Sequence, residues 1–203
     1  MKPKPYLIGI AGPSGAGKSY LAQHLVRELK HATILPIDAY YPDLSHLSLQ
    51  ERERLNFDDP NILDTALLFA HVGALARGNS VEQPIYDFAR HTRLPETRRV
   101  APTQFVIVEG LFTLYWEELR SFLHTRLYLE LSDAVCWERR MDRDVHYRGR
   151  TAEFVTRQFR ELVVPMAEIY VRPTAGFADL RLSGDADIAE QIAAVLARVR
   201  RNP

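Results

Sequence analysis

The sequence predicts a single α/β domain built on a mainly parallel sheet flanked by helices. Apolar β-rich runs alternate along the chain with segments of helical periodicity, the pattern of strands joined by crossover helices. One run, Gln104 to Val108 (QFVIV), is continuously apolar, as a strand covered on both faces must be. At 203 residues the chain can bury one sizeable core but falls short of two ordinary domains.

Taken in order, Tyr6 to Ala11 reads as a short strand ending in glycines, and Ser19 to Lys30 places Leu21, Leu25, Val26 and Leu29 at helical spacing. A second strand, Thr33 to Ile37, ends at Asp38. The stretch from Ala39 to Pro60 is polar and turn-rich, with a short helix starting near Ser48. Asn61 to Arg77 is strongly helical and is stopped by Gly78-Asn79. After QFVIV, which delivers Glu109-Gly110, the strand Arg126 to Leu131 leads into a helix from Asp133 to about Asp144. Beyond the Arg148-Gly149-Arg150 break, Thr151 to Tyr170 reads as helical despite Pro165. Asp179 to Leu182 is a last strand and Asp185 to Arg200 a last helix.

Composition narrows the function. Lys and Arg total 26, as do Asp and Glu, and this zero net charge argues against bulk nucleic-acid binding, which needs a surplus of cations. No stretch approaches the ~18 apolar residues that cross a bilayer. The basic MKPKP start precedes only a short apolar run and carries no cleavage pattern. The single cysteine, Cys136, can form no intrachain disulfide and reads as a small buried hydrophobe on a helix facing the sheet. A cytoplasmic protein with no membrane partner is expected.

The loop between the first strand and first helix reads GPSGAGKS. Gly12, Gly17, Lys18 and Ser19 satisfy G-x-x-x-x-G-K-[ST], the P-loop pattern, which makes the fold P-loop NTPase-type. Its glycines allow a nest of inward N–H groups, and the following helix adds its positive end. Gly12, Pro13, Ser14, Gly15, Ala16, Gly17, Lys18, Ser19 and Tyr20 are therefore the candidate cradle for a nucleoside triphosphate. Lys18 would reach its β- and γ-phosphates, and the Ser19 hydroxyl would ligate Mg²⁺.

The P-loop leaves the acceptor open. A GTPase would need a base-reading motif such as N-K-x-D, which is absent from the sequence. Transfer to a small molecule needs a carboxylate at the acceptor hydroxyl, a second metal anchor and cations over the γ-phosphate. Asp38, at the P-loop edge of the second strand, is the candidate base; Glu109 would hold Mg²⁺ directly or through water, or else cap a helix. Arg139, Arg140, Arg143, Arg148 and Arg150, split by Gly149, form a candidate Arg-rich lid at about 139–160, as opposed to a solvated helix face. Lys18, Asp38 and Arg143 are the candidate catalytic set.

The segments GPSGAGKS, DAYY, NFDDP, PIYDFARHTR, VEG, RRMDRDVHYRGR and VRPTAGFAD, in this order, resemble the uridine kinase (uridine-cytidine kinase) family over nearly the whole chain. The resemblance implies ATP- or GTP-dependent phosphorylation of the 5′-hydroxyl of uridine and cytidine in pyrimidine salvage. It implies that Asp38 is the catalytic carboxylate, that Asp58 binds the ribose hydroxyls, and that Tyr86, His91 and a stacking Phe88 receive the pyrimidine. It also implies nucleoside-binding insertions at about 39–60 and 81–100. By the same resemblance, Arg140 and Arg150 lie on the substrate side, Arg143 and Arg148 over the phosphates, Gln158 near the nucleoside base, and Asp187 beside the ATP base. A homo-oligomer, tetramer or dimer, is implied as well. The chain departs from the family where F-D-H-P is usual: Phe57-Asp58-Asp59-Pro60 adds a charge that either points to solvent or changes which acceptor fits. The remaining readings are a phosphoribulokinase-like or nicotinamide-riboside-type kinase on the same scaffold, and a non-catalytic ATP-binding regulator.

Overall fold

A computed structural model describes residues 4–201; the first residues of the basic MKPKP start lie outside them. Strands β1 (Tyr6–Ala11), β2 (Ala32–Pro36), β5 (Phe105–Glu109), β6 (Thr125–Glu130) and β7 (Leu180–Ser183) form one parallel sheet in the order β2-β5-β1-β6-β7. Strands β3 (Val81–Asp87) and β4 (Thr92–Val100) pair as a separate antiparallel hairpin. The helices are α1 (Lys18–Leu29), α2 (Leu49–Glu53), α3 (Thr65–Ala76), α4 (Glu117–Ser121), α5 (Asp133–Arg148), α6 (Ala152–Gln158), α7 (Val164–Met166) and α8 (Ile188–Arg200). No helix among the described residues is long and apolar enough to cross a membrane.

Side-chain alternation explains why the strands read as unbroken apolar runs. Leu7, Leu35, Val106 and Val108 face a core shared with Leu68, Val72 and Leu75 of α3. Their neighbours Ile8, Ile10 and Ile107 face the opposite core with Leu21 and Leu25 of α1, Cys136 of α5 and Val195 of α8. Both faces are covered, so neither can be polar.

Register then fixes the chemistry. Glu109, at the end of β5, lies opposite Ile10 on one side and Pro36 on the other. The chain therefore leaves β1 into Gly12 and β2 into Asp38 at the same edge as Glu109, the edge where parallel α/β sheets bind ligands. The turn after β5 needs glycine: Gly110 has φ +152°, and a Cβ there would lie 2.2 Å from Ile37 Cγ1 and 3.4 Å from Asp38 Oδ1.

Several boundaries differ from the sequence reading. The helix expected from Asn61 starts at Thr65, because Asp64 caps it by accepting from the Leu67 N–H at 3.1 Å, and Pro60–Ile62 forms a separate 3-10 turn. The helix expected to end near Asp144 runs to Arg148, where Gly149 at φ +68° terminates it in the left-handed region. The helix expected over Thr151 to Tyr170 is continuous but widened into π turns at Phe159–Val163 and Ala167–Val171. These flank Pro165, which lacks a donor and cannot sit in an unmodified α-helix without strain. The last helix starts at Ile188, with Asp187 as its cap. Residues 81–100, expected as a nucleoside-binding insertion with no assigned strand or helix, are the β3–β4 hairpin, with a bulge between Pro84 and Tyr86.

The hairpin and the 39–60 segment form one cap over the sheet edge. The Leu44 N–H donates to Thr92 Oγ1 at 3.0 Å, and Arg93 donates to the carbonyls of Tyr40 and Tyr41 at 3.2 and 3.0 Å. Arg52 ties Ser45 and Leu47 to Arg90 through their carbonyls. Replacing Gly110 by alanine is expected to destabilise the protein by about 2–4 kcal/mol, from overpacking together with strain. Urea denaturation measures this, and an unchanged midpoint would show that the turn can relax.

Candidate active site

A cavity of about 300 Å³ opens between the P-loop, the cap and the arginine-rich end of α5. Its walls include Ser14, Gly15, Gly17, Lys18, Ser19 and Tyr20 from the loop, then Asp38 and Glu109 from the strand ends. The cap contributes Asp58, Tyr86, Phe88 and His91, and the α5–α6 region contributes Arg140, Arg143, Arg148, Arg150 and Gln158. Residues expected from distant parts of the sequence thus meet in one space. Gly12, Pro13, Ala16 and Asp187 lie outside its lining. The Asp187 carboxylate accepts from the Ala189 N–H at 2.8 Å, capping α8 at the surface.

At the loop, Lys18 Nζ donates to the carbonyls of Gly12 and Pro13, both at 2.9 Å, and burial lowers its pKa. Gly15 (φ +89°) leaves no room for a side chain, since a Cβ would come 2.6 Å from the Cys136 carbonyl oxygen. This contact seats the loop on α5. Ser19 Oγ donates to Glu109 Oε1 at 3.0 Å. Burial, reinforced by the charge of Asp38, pushes the Glu109 carboxyl up to about 7.

Asp38 occupies a 3-10 turn, Ile37–Tyr40, directly after β2. Its charge is felt at Lys18 and Glu109, and also at Asp58 and Tyr86. It is therefore electrostatically coupled to both halves of the cavity. Asp58 is buried, and that burial raises its pKa. Its neighbour Asp59 faces away from the cavity, with Oδ1 accepting from the Asn61 N–H at 2.8 Å to cap the 3-10 turn.

The cap presents an aromatic wall. Phe57 stacks on the His91 ring at 4.9 Å between centroids, while Tyr86 packs edge-on against Phe88 at 5.2 Å. The Tyr86 hydroxyl is buried without a hydrogen-bond partner, and burial raises its pKa. Arg150 Nη2 lies 2.7 Å from His91 Nε2, so in the neutral ring Nε2 accepts and the proton sits on Nδ1. Burial and then Arg150 and Arg148 depress the His91 pKa to about 4. The arginine group is linked in turn: Arg140 donates to Ser14 Oγ at 2.9 Å and to Gln158 Oε1 at 2.8 Å, and Arg150 shares the same Gln158 oxygen at 3.3 Å. The Arg148 guanidinium lies 4.4 Å above the Phe88 ring.

The sequence reading missed Tyr41, Phe57 and Leu111 in the lining, and Asp144 behind it. The signal for Phe57 was the aromatic flank of Asp58 in NFDD. That for Asp144 was its i, i+4 spacing from both Arg140 and Arg148.

A model of the Phosphoribulokinase / Uridine kinase family matches residues 7–187. The chain belongs to this family. It is 41% identical over 180 residues to the uridine kinases of Salmonella paratyphi B and Salmonella typhimurium, covering 86% of this chain and 84% of each relative. Among solved structures, a candidate fructose transport system kinase from Silicibacter sp. TM1040 superposes with a TM-score of 0.74 at 24% identity, covering 89% of this chain and 91% of that one. D-glycerate 3-kinase from Cryptococcus neoformans gives 0.61 at 19% identity, with 82% and 79% covered. These two likenesses establish the shared fold. The protein is thus a P-loop kinase of this family, with its cavity at the carboxyl edge of the sheet.

His91 supplies a pH test. Its folded pKa is depressed, so its contribution to stability is complete above its unfolded value near 6.5 and is lost as pH falls through about 4. His91→Gln should therefore lose less stability than wild type between pH 6.5 and 4, as read by urea midpoints across that range. Parallel curves would show that His91 titrates alike in both states.

Proposed function

We propose that the protein transfers the γ-phosphoryl of ATP or GTP to the 5′-hydroxyl of uridine and cytidine, giving UMP and CMP. The observation that carries this reading is the shared cavity, in which Asp38 is coupled both to the Lys18–Glu109 cluster and to the Asp58–Tyr86 cluster. A phosphate donor and a sugar hydroxyl need such an arrangement to meet. The name carried by the Salmonella relatives supports the same substrate class.

In this reading the P-loop amides and Lys18 hold the β- and γ-phosphates, while Arg143 and Arg148 approach the γ-phosphoryl and help keep water away. Asp38 orients the 5′-hydroxyl and accepts its proton late, as a loose transition state requires. Asp58 accepts hydrogen bonds from the cis-diol, whose two O–H groups match its two oxygens. Tyr86 and His91 meet the polar edge of the base, Phe88 stacks on it, and Arg140, Arg150 and Gln158 hold the substrate side. The neutral His91, with its proton on Nδ1, is one donor for that edge. Asp59, turned to its cap, leaves the sugar site unaltered.

Ser19 and Glu109 suit Mg²⁺. They are adjacent oxygen donors, and burial followed by the charge of Asp38 raises the Glu109 carboxyl, a cost that a bound cation would offset. Among the described residues no cluster of three His, Cys, Asp or Glu side chains forms a metal cage. An ion held by few protein ligands and by phosphate oxygens is the usual arrangement for Mg²⁺. When bound, it neutralises charge on the β- and γ-phosphates. We place the enzyme in the cytoplasm and expect a homo-oligomer, which a sizing column tests.

ADP release with Mg-ATP is the deciding assay, run against uridine, cytidine, 2′-deoxycytidine, adenosine, ribulose 5-phosphate and nicotinamide riboside. Turnover confined to the two pyrimidine ribonucleosides is expected; turnover of another acceptor instead would overturn the substrate reading. Asp38→Asn should lower kcat by ~10²-fold or more with ATP binding nearly intact. A near-normal kcat would remove Asp38 from proton transfer. Asp58→Ala should raise the nucleoside KM far more than the ATP KM, and equal effects on both would move Asp58 away from the sugar.

A further inference from the structure

The Asp144 side chain is wholly buried, yet it stays outside the cavity lining. Helical spacing puts Arg140, Asp144 and Arg148 on one face of α5. Asp144 Oδ1 accepts from Arg143 Nε at 2.8 Å and lies 3.1 Å from Arg148 Nη1. Oδ2 lies 3.3 Å from Arg140 Nε and 3.9 Å from Arg150 Nη1. One carboxylate thus contacts every arginine that lines the cavity except Arg139. The backbone joins in: the Asp144 carbonyl accepts from the N–H groups of Gly149 and Arg150, folding the turn back so that Arg150 returns to the cluster.

A solvated helix face would spread such charges apart in water. Here they converge on a residue without exposure, and charge contacts from the arginines hold the carboxyl below its ordinary range although burial alone would push it up. We propose that Asp144 is the positioning residue of the phosphotransfer site, setting the direction of the arginine guanidinium groups that meet the moving phosphoryl. It lies behind the cavity lining, so its effect on the site runs through the arginines. The P-loop amides and Lys18 hold the triphosphate in the ground state, so the arginine geometry counts most when charge redistributes in the transition state. The expected signature is a loss in kcat that exceeds any loss of ATP binding.

This inference rests on the proposed phosphotransfer. The test compares Asp144→Asn, which keeps shape and removes charge, with Asp144→Glu, which keeps charge and displaces the carboxylate by one methylene. Both are made in the full chain, and kcat, both KM values and thermal unfolding are measured. Asp144→Asn should lower kcat by at least ~10-fold while raising the ATP KM by less than ~3-fold. Asp144→Glu should unfold within about 3 °C of wild type and still show kcat lowered at least ~10-fold. A purely structural role would instead make kcat follow the folded fraction, lost in the Asn variant and restored in the Glu variant. That outcome, or a rise in ATP KM matching the fall in kcat, overturns the proposal. If the Asn variant does not fold, the Glu variant decides alone: normal kcat refutes, and a folded protein with low kcat supports. A wild type that phosphorylates a different acceptor refutes only the pyrimidine reading, and the Asp144 variants are then scored on that acceptor. A wild type that phosphorylates none refutes both.

Discussion

Every part of this site answers to the cost of removing charge from water. The cavity edge gathers Asp38 and the buried Lys18, Asp58 and Glu109 beside a cluster of arginines, of which Arg140 is buried. Burying charge is costly, and most of these groups have an opposite charge, a hydrogen bond or a displaced pKa to offset it. Lys18 leans on loop carbonyls, Glu109 on Ser19 and Lys18, and the arginines on Asp144. The loop, cap and α5 are held in place because they bring these partners together.

The sheet makes this arrangement affordable. Its two apolar cores cover both faces and fix the strands rigidly, so the C-terminal ends of β1, β2 and β5 can carry polar groups at constant separation. Tyr40, Tyr41, Val81, Tyr86 and Val100 join the cap to one of the sheet's apolar cores, and hydrogen bonds through Arg52, Thr92 and Arg93 tie its segments to one another.

Much of this was legible in the sequence, for definite reasons. GPSGAGKS, Asp38 and Glu109 follow apolar strands, so parallel pairing alone brings them to one edge. The hairpin was harder to see, because most of β4 faces solvent and reads TRLPETRR, without the apolar alternation that marks a half-buried strand. The helix after Gly149 was recognised, but its π turns were not, since a widened helix keeps nearly the same periodicity. Asp187 also has a local role that the sequence reading did not assign, capping the last helix. Asp144 escaped notice because its importance lies in what surrounds it in space, and its arginine neighbours drew the attention.

The seat of the P-loop on α5 also decides how this molecule can be observed. The sole cysteine, Cys136, is 1% exposed behind Gly15, and burial raises its thiol pKa, so it is shielded from alkylating dyes. The native background is therefore close to silent. A single cysteine placed at Tyr147, 80% exposed near the end of α5, would carry a fluorophore or spin label alone. Any movement of the arginine-rich end on ligand addition could then be followed in real time without first rebuilding the core.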